Sequence, residues 1–377
     1  MRFVKLIGPA TIVSVAYIDP GNFGANLEAG MKFGLALLWV VAVSGLLALA
    51  IQYVSGMLGV SRGAGLFDLM TRHRLWFSPV AVAIVLATDM AEFMGVVLGL
   101  HLLFDIPLWA AALVGFFDVA FLALLADRRE LFAKVIGGFV VAVAASFLIQ
   151  LYFIKPNWGE VAAALVPKTV TGDMALVAAA IVGATIMPHA VLLHSHIAKG
   201  QLRREHMYQT AFNLFGASLI NAAILITSAY VLYSREVDIQ DVPKVLEPLY
   251  GPLSAFLFSM ALLLSGISSS AVSVEVGVLT ARYIFGRVVQ PWKVRMAARL
   301  INLAPAVAAV GALGVSPITI LVYTQAVLAA TLPIVLTALW HYTKGLVARP
   351  LSILTIATAI YTSALVISTM YNSVITH

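Results

Sequence analysis

The sequence has no cysteine and few charged residues. Of its 377 residues, 11% are charged and 62% are hydrophobic, and the mean hydropathy is +1.00. Because a soluble domain carries about 25% charged residues, this composition excludes an ordinary soluble enzyme. It also excludes a disordered chain, which needs low hydrophobicity. The absence of cysteine excludes disulfides, thiolate metal sites and iron–sulfur clusters.

Several functional motifs are also absent. The sequence has no P-loop, no His-Glu-x-x-His and no Gly-x-Ser-x-Gly, so ATP hydrolysis and the common hydrolase sites are not expected. The net charge is +6, but the basic residues do not cluster as a nucleic-acid surface requires. No linker and no cleavable signal peptide is evident. We therefore expect one transmembrane domain over residues 1–377, no cofactor and no enzymatic activity.

Long apolar stretches dominate the chain. A bilayer core of about 30 Å is crossed by roughly 20 apolar residues in a helix. Eleven such stretches are predicted, over residues 8–30, 36–60, 77–102, 108–126, 134–154, 174–198, 209–233, 253–280, 297–313, 317–340 and 350–372. The predicted fold class is an all-α polytopic membrane protein, and we expect a monomer.

The basic residues are distributed unevenly between the predicted loops. Eighteen of the 23 Lys and Arg residues fall on the N-terminal side of the membrane, and five fall on the other side. Cytoplasmic loops carry the excess of Lys and Arg. The count predicts a multi-pass protein of the cell membrane with a cytoplasmic N-terminus and an extracellular C-terminus.

Helix breakers interrupt the first and sixth spans at mid-depth. The first contains Asp19-Pro20-Gly21-Asn22, and the sixth contains the segment from Gly183 to His189, with Met187-Pro188. A simple proline kink is the alternative at each place. Paired interrupted helices in corresponding positions of two halves indicate a transporter's central site. We therefore predict that residues 1–154 and 174–340 form inverted repeats, and that 350–372 is an additional helix.

Polar groups at the two breaks form a candidate metal site. Asp19, Asn22 and the Ala184 carbonyl offer hard oxygen ligands, and Met187 offers a soft thioether. A mixed set of this kind suits Mn²⁺ or Fe²⁺ better than Mg²⁺ or Ca²⁺. In the alternative interpretation, Asp19 caps the outer half-helix and Met187 is packing. The amide of Gln325 could supply a further oxygen or serve interhelical hydrogen bonding.

Ionisable residues inside the spans form a candidate proton relay. Asp89 and Glu92 are three residues apart and so share a helix face. Two carboxylates in a low dielectric cannot both ionise at low cost, which suits a relay; the alternative is structural pairing with Arg or backbone. His189 could titrate near neutrality or be a hydrogen-bonded core residue. Asp118 and Glu275 are also intramembrane, without an assigned role.

The motifs resemble those of the natural resistance-associated macrophage protein (Nramp) family of proton-coupled divalent-metal transporters. The similarity rests on GPATIVSVAYIDPGNFGANLEAG, on Met-Pro-His in span six, and on ATDMAEFMG, LLLSGISSS and TQAVLAATLP further along. It implies the LeuT-type fold, with five helices repeated in inverted topology. It also implies a metal site of Asp19, Asn22, Ala184, Met187 and, when occluded, Gln325, and a proton route of Asp89, Glu92, His189 and Arg299.

Some positions depart from the family pattern. Ala298 precedes Arg299 where the family often has two adjacent arginines, and Ala190, Glu28 and Glu275 replace other residues. We expect proton-coupled import of Mn²⁺ or Fe²⁺. The alternatives are a carrier of the same fold for Mg²⁺ or an amino acid, a channel, and a membrane-embedded metalloenzyme.

Overall fold

The computed structural model describes residues 8–118, 129–170, 172–235 and 237–375, and these parts of the chain contain helices and no strands. The α-helices are α1 Pro9–Ala16, α2 Pro20–Phe33, α3 Leu38–Arg62, α4 Leu66–Leu69, α5 Arg74–Phe104, α6 Leu108–Gly115, α7 Arg129–Ile154, α8 Trp158–Ala163, α9 Gly172–Ile186, α10 Pro188–Ile197, α11 Arg203–Val231, α12 Val242–Tyr250, α13 Pro252–Phe285, α14 Pro291–Val307, α15 Pro317–Thr343 and α16 Arg349–Ile375.

Eight helical stretches of the described chain are long and apolar enough to cross a membrane. One of them, Pro20–Arg62, combines α2 and α3, because only the short 3₁₀ turn Gly34–Leu37 separates them. Each of the eleven predicted spans contains a helix, although residues 119–128 of the predicted fourth span lie outside the described residues. The observed helices often extend beyond the predicted apolar stretches, as α13 does to Phe285.

Proline marks the start of many of these helices. Pro20, Pro188, Pro252, Pro291 and Pro317 all lie in the first turn. The missing N–H of proline is tolerated there, because the first turn lacks intrahelical acceptors for its donors. The helix breakers of the sequence therefore act as start signals, and two of them begin the second half of an interrupted span.

The two interruptions are narrower and differently placed than predicted. In span one the break is Tyr17–Asp19, and Pro20 to Asn22 already belong to α2. In span six it is Met187 alone, with φ 46°. Asp19 caps α2 and so allows the helix to resume at Pro20, while a single left-handed residue is enough to interrupt the α9–α10 hydrogen-bond ladder.

Side chains of neighbouring helices satisfy the carbonyls at the breaks. Asn221 of α11 donates to the Tyr17 carbonyl at 2.9 Å, and Ser265 of α13 donates to the Ile18 carbonyl. Unpaired backbone groups within a membrane cost several kcal/mol, so broken helices persist only where such partners exist. These hydrogen bonds stabilise the interruption of span one inside the bundle.

Small residues let the helices around the breaks approach closely. A Cβ on Gly266 of α13 would lie 2.8 Å from the Val96 nitrogen and 2.9 Å from the Glu92 carbonyl oxygen of α5. The serine and glycine run of α13 is therefore packing against α5, as small residues commonly are in membrane helices. This contact places α5, which carries Asp89 and Glu92, beside α13.

The charge count used for topology needs one correction. Arg295 and Arg299 were counted with the loops, but both side chains are buried within α14. Without them the count is sixteen against five. The sign of the asymmetry is unchanged, and the predicted orientation and the division into inverted halves stay predictions.

Candidate functional site

Asp19 is the N-cap of α2 and retains one free oxygen. Its Oδ1 accepts from the Asn22 backbone N–H at 2.7 Å, which realises the capping alternative. Its Oδ2 is buried and has no hydrogen-bond partner among the described residues. A carboxylate in this position therefore serves the helix with one oxygen and leaves the other for a ligand.

Asn22 connects the two interrupted spans. Its side-chain N–H₂ donates to Asp19 Oδ1 at 2.9 Å and to the Ala184 carbonyl at 2.7 Å. The Thr185 hydroxyl lies 3.5 Å from Asn22 Oδ1. The structure thus brings Asp19 and Asn22 of span one together with the Ala184 carbonyl of span six, which lies 162 positions after Asn22 in the chain.

Gln325 of α15 faces the same place. A Cβ on Gly21 would lie 1.9 Å from Gln325 Nε2, so the glutamine side chain rests directly on the first turn of α2. Both polar atoms of its amide are buried without a hydrogen-bond partner among the described residues. The interhelical hydrogen bond considered as the alternative is therefore not formed, and the amide is left for a ligand.

Met187 completes the set at the break of span six. Its side chain is fully buried and its φ is positive. It directly precedes Pro188, the first residue of α10. A non-glycine residue at positive φ is uncommon and costs about 1–3 kcal/mol, and such strained positions cluster at active sites and ligand-binding sites.

The arrangement can bind a cation of intermediate softness. It offers carboxylate, amide and carbonyl oxygens together with one thioether, all of them buried. Within the described chain no group of three or more His, Cys, Asp or Glu is suited to hold a metal ion. The hydrolytic zinc set that a metalloenzyme would need is therefore absent from those residues.

A buried ionic cluster lies beside α5. The Nη1 of Arg295 contacts Asp89 Oδ1 at 3.2 Å and Glu92 Oε2 at 3.1 Å. Ser273 of α13 also donates to Glu92, and Asn302 donates to Asp89 Oδ2 at 2.9 Å. The predicted carboxylates thus share a site, and the alternative that they pair with arginine is realised.

Asp118, just beyond α6, lies on the other side of the same arginine. Its Oδ2 accepts from Arg295 at 2.6 Å and from Arg299 at 2.7 Å. Arg299 also donates to the Asp89 carbonyl at 3.2 Å and stacks 4.5 Å from the Phe93 ring centre. The predicted Arg299 therefore belongs to the cluster.

His189 lies between the breaks and this cluster. Its Nδ1 is 3.2 Å from the Thr88 hydroxyl, and that hydroxyl donates its one proton to the Ile84 carbonyl at 2.8 Å. With its proton engaged in this way, the Thr88 hydroxyl oxygen can accept a hydrogen bond from the Nδ1–H tautomer of His189. Thr88 adjoins Asp89, so His189 connects the Met187-Pro188 break to the carboxylates.

The sequence reasoning missed Arg295 and gave Asp118 no role. Arg295 and Arg299 are four residues apart, so they share one face of α14, and this spacing was the available signal. The family often has arginine where Ala298 stands; in this chain a second arginine, Arg295, lies three residues earlier in α14. Ser273, Asn302 and Ser270, whose hydroxyl accepts from Arg295, were also missed, because single neutral polar residues in apolar helices carry no distinctive spacing.

Other intramembrane polar residues lie apart from these contacts. His194 of α10 bonds to Gln52 at 3.0 Å, and its ring centre is 5.0 Å from that of His206. Glu28 forms an ion pair with Lys32 at 2.6 Å, one turn along α2. These residues line neither the breaks nor the ionic cluster.

Comparison with known proteins gives a consistent result. The family model described as natural resistance-associated macrophage protein-like matches residues 10–376. A divalent metal cation transporter MntH of Caldanaerobacter subterraneus subsp. tengcongensis is 35% identical over 91% of this chain and 86% of its own. The MntH of Bacillus subtilis is 35% identical over 91% of this chain and 84% of its own.

Solved structures agree with the fold. A manganese transporter of Eremococcus coleocola superposes with a TM-score of 0.83 at 25% identity, covering 97% of this chain and 86% of that one. MhsT, solved with L-phenylalanine, gives 0.64 at 14% identity, covering 96% and 98%. The expected LeuT-type membrane fold is confirmed, with broken helices in spans one and six. The chain belongs to the natural resistance-associated macrophage protein (Nramp) family.

Proposed function

We propose that this protein is a secondary transporter that imports Mn²⁺ or Fe²⁺ together with protons. The observation that carries the proposal is the junction of the two breaks. There Asn22 links Asp19 to the Ala184 carbonyl, and buried oxygens of Asp19 and Gln325 have no hydrogen-bond partner among the described residues. Unpaired buried polar atoms are costly, and a bound cation would satisfy them. The metal is the transported substrate and no cofactor is required.

The proposed metal ligands are Asp19, Asn22, the Ala184 carbonyl, Met187 and Gln325. In the structure the Asn22 N–H₂ group faces Asp19 and the Ala184 carbonyl, so the amide would have to turn for its Oδ1 to bind a metal beside them. The relatives named divalent metal cation transporters and the neighbour named a manganese transporter support this choice of substrate. Met187 supports a transition metal over Mg²⁺, because carboxylate and carbonyl oxygens alone would suit Mg²⁺.

An amino-acid carrier of the same fold is the second candidate, because MhsT, which shares the fold, was solved with L-phenylalanine. Such carriers direct half-helix N-termini at the substrate carboxylate. Here Asp19 already places a carboxylate on the N-terminus of α2. A second anion at that position would be repelled, so the geometry favours a cation.

Proton coupling is proposed to use Asp89, Glu92, His189 and Arg299. His189 lies two residues after Met187 and contacts Thr88 beside Asp89. The contact offers a short route between the metal site and the ionic cluster. We further propose that the protein is a monomer in the cell membrane, with its N-terminus in the cytoplasm. The metal would move into the cell.

Calorimetry with Mn²⁺ on purified protein tests the binding site. Asp19→Ala should abolish binding, because it removes the only carboxylate that the breaks contribute. The matched control is Asp241→Ala, which removes an exposed carboxylate paired with Lys244 and should bind Mn²⁺ as the wild type does. Undiminished Mn²⁺ affinity in Asp19→Ala would place the metal elsewhere.

A further inference from the structure

Two segments at one end of the helical bundle lie side by side. One is residues 70–76, which lead into α5, and the other is residues 285–293, which connect α13 to α14. The Tyr283 hydroxyl, in the last turn of α13, donates to the Met70 carbonyl at 2.8 Å, although the two residues are 213 positions apart in the chain. The start of α5 and the start of α14 therefore meet at the same surface.

These two segments form a basic patch, which carries four basic side chains and no Asp or Glu. Its exposed bases are Arg72, Arg74, Arg287 and Lys293, and none of them forms an ion pair with a described residue. A Cβ on Gly286, beside Arg287, would lie 3.9 Å from Arg74 Nη1, so bases of the two segments converge. Because neighbouring like charges repel each other, this surface favours a bound anion.

Exposed aromatic and apolar side chains border the bases. Trp76 is 52% exposed and Trp292 is 46% exposed, while Leu75 and Val288 reach 93% and 76%. Each tryptophan lies near the start of a helical stretch that is long and apolar enough to cross a membrane. Tryptophan concentrates at that depth, where lipid chains meet headgroups. The Lys293 ammonium lies 5.5 Å from the Trp292 ring centre, so the bases of the patch are at headgroup level.

We propose that the basic patch binds the headgroup of an anionic phospholipid, with the lipid phosphate between Arg74 and Arg287 and the acyl chains against the exposed apolar side chains. Guanidinium groups form strong bidentate bonds with phosphate, and clusters of Lys and Arg at the cytoplasmic ends of spans recognise anionic lipids. The proposed orientation places the patch in the cytoplasmic leaflet. A headgroup held there joins the start of α5 to the start of α14, the two helices that contribute most of the ionic cluster.

A simpler explanation is that these bases only set the topology. Lys and Arg accumulate on the cytoplasmic side of membrane proteins without binding a particular lipid. Arg203 and Arg204, in the first turn of α11, are exposed bases that the topology assigns to the same side, and they lie outside the patch. They provide a matched pair for comparison. If topology is the whole reason for the bases, removal of either pair of arginines should change lipid binding equally.

The test compares the wild type, the patch variant Arg74→Gln/Arg287→Gln and the control variant Arg203→Gln/Arg204→Gln. Each is purified in detergent that contains equal amounts of dioleoylphosphatidylglycerol and dioleoylphosphatidylcholine, and the retained lipids are quantified by mass spectrometry. We expect the wild type and the control variant to retain phosphatidylglycerol in preference. The preference should fall about tenfold or more in the patch variant, because each base near an anionic lipid surface contributes roughly a factor of five.

Melting temperatures distinguish a lipid from free phosphate. A ligand that binds only the folded state raises the melting temperature as its concentration rises. Phosphatidylglycerol should therefore stabilise the wild type and the control variant more than the patch variant. Inorganic phosphate at the same concentration should not, because it has no acyl chains to contact Leu75 and Val288. Equal stabilisation by inorganic phosphate would overturn the assignment to a lipid.

The lipid measurements can contradict the proposal in three further ways. The wild type could show no preference for phosphatidylglycerol, all three forms could retain it equally, or both double variants could lose it equally. If the patch variant does not fold, Arg74→Gln and Arg287→Gln are tested singly, and each should lower the preference about fivefold. An unchanged preference in both would overturn the proposal. None of these measurements uses Mn²⁺, so their outcome is independent of the proposed metal transport.

Discussion

At the scale of single residues, the chemistry depends on a few buried side chains with incomplete hydrogen bonding. Asp19 and Gln325 each present a buried oxygen without a partner in the described chain, at the junction of two interrupted spans. In most proteins such atoms are paired. Their persistence here agrees with a site that is completed by its cargo.

Met187 should set the selectivity between Mn²⁺ and Ca²⁺. Replacing it with Ala removes the only soft ligand and leaves room for water, so Mn²⁺ should lose little affinity while Ca²⁺, which takes 6–8 oxygen ligands, gains. We expect Met187→Ala to narrow the Mn²⁺ preference by about 1–2 kcal/mol, or roughly a factor of ten. Ca²⁺ competition against Mn²⁺ uptake measures it. Equal inhibition of wild type and variant would mean that Met187 only packs.

Substitution of Asp89 should affect proton transport more than metal binding. It contacts Arg295 and Asn302 and does not touch the residues at the breaks. We therefore expect Asp89→Asn to reduce Mn²⁺-driven acidification of liposomes more strongly than it reduces Mn²⁺ binding. A fluorescent pH indicator inside the vesicles measures the acidification, and calorimetry measures the Mn²⁺ affinity of the same variant. Unchanged acidification in Asp89→Asn would show that Asp89 does not carry the proton, and Glu92 would be the next candidate.

At the scale of elements, close approach between helices fixes the shape of the site. Gly183 of α9 packs on the backbone of α15, where its Cβ would lie 2.1 Å from the Gln325 carbonyl oxygen. Gly21 of α2 packs instead on the flexible end of the Gln325 side chain, at 1.9 Å. A backbone atom cannot move aside as the end of a side chain can. We therefore expect Gly183 to tolerate an added methyl group less well than Gly21.

Substitution of these glycines should separate stability from site geometry. We expect Gly183→Ala to destabilise the protein by about 1–3 kcal/mol through overpacking, and Gly21→Ala to displace Gln325 at a smaller cost in stability. Gly216→Ala is the control, because a Cβ added there would have no described atom of another part of the chain within 4 Å. The melting temperatures of the purified variants rank their stabilities. A Gly183→Ala protein as stable as Gly216→Ala would contradict the close contact.

A short loop helix, α4, is tied to the end of α10. Asp68 contacts Lys199 at 2.6 Å and accepts from the Gly65 N–H at 2.9 Å. Partial burial alone would raise the pKa of Asp68. The hydrogen bonds from Lys199 and Gly65 and the charges of Lys199 and His196 outweigh it and hold that pKa below its ordinary value of 3.8.

Because the pKa of Asp68 is lowered in the folded state, its stabilisation is present above about pH 4 and is lost as pH falls through the lower folded pKa. Asp68→Asn should lower the melting temperature slightly at pH 7, since an exposed pair contributes about 0.2–1 kcal/mol. The difference from wild type should shrink near pH 3. A difference that stays constant between the two pH values would show that the ion pair contributes nothing.

At the scale of the whole molecule, composition and the length of the apolar stretches were enough to predict the membrane class and the helices. The paired breakers at Pro20 and Pro188 located the interruptions to within a few residues. Their limits were not predictable, because they depend on Asp19 capping α2 and on the backbone angle of Met187.

The ionic cluster shows why part of the site escaped prediction. Asp89 and Glu92 stand out as charges in one apolar span, but their partners come from α13 and α14. The two arginines of α14 bond in turn to Asp118, after α6. Arg295 was counted as a loop residue, since the apolar stretch begins only at residue 297 while the helix begins at Pro291. Long-range pairing of this kind is set by how helices pack, which a single sequence does not specify.

The most direct test of the account measures metal and proton movement together. Purified protein in sealed liposomes, with an acidic outer solution, is supplied with ⁵⁴Mn²⁺ while the internal pH is recorded. We predict that the wild type accumulates Mn²⁺ and acidifies the interior in step, and that Asp19→Ala does neither. Mn²⁺ accumulation by Asp19→Ala at the wild-type rate would contradict the central claim that the metal passes through the junction of the two broken helices.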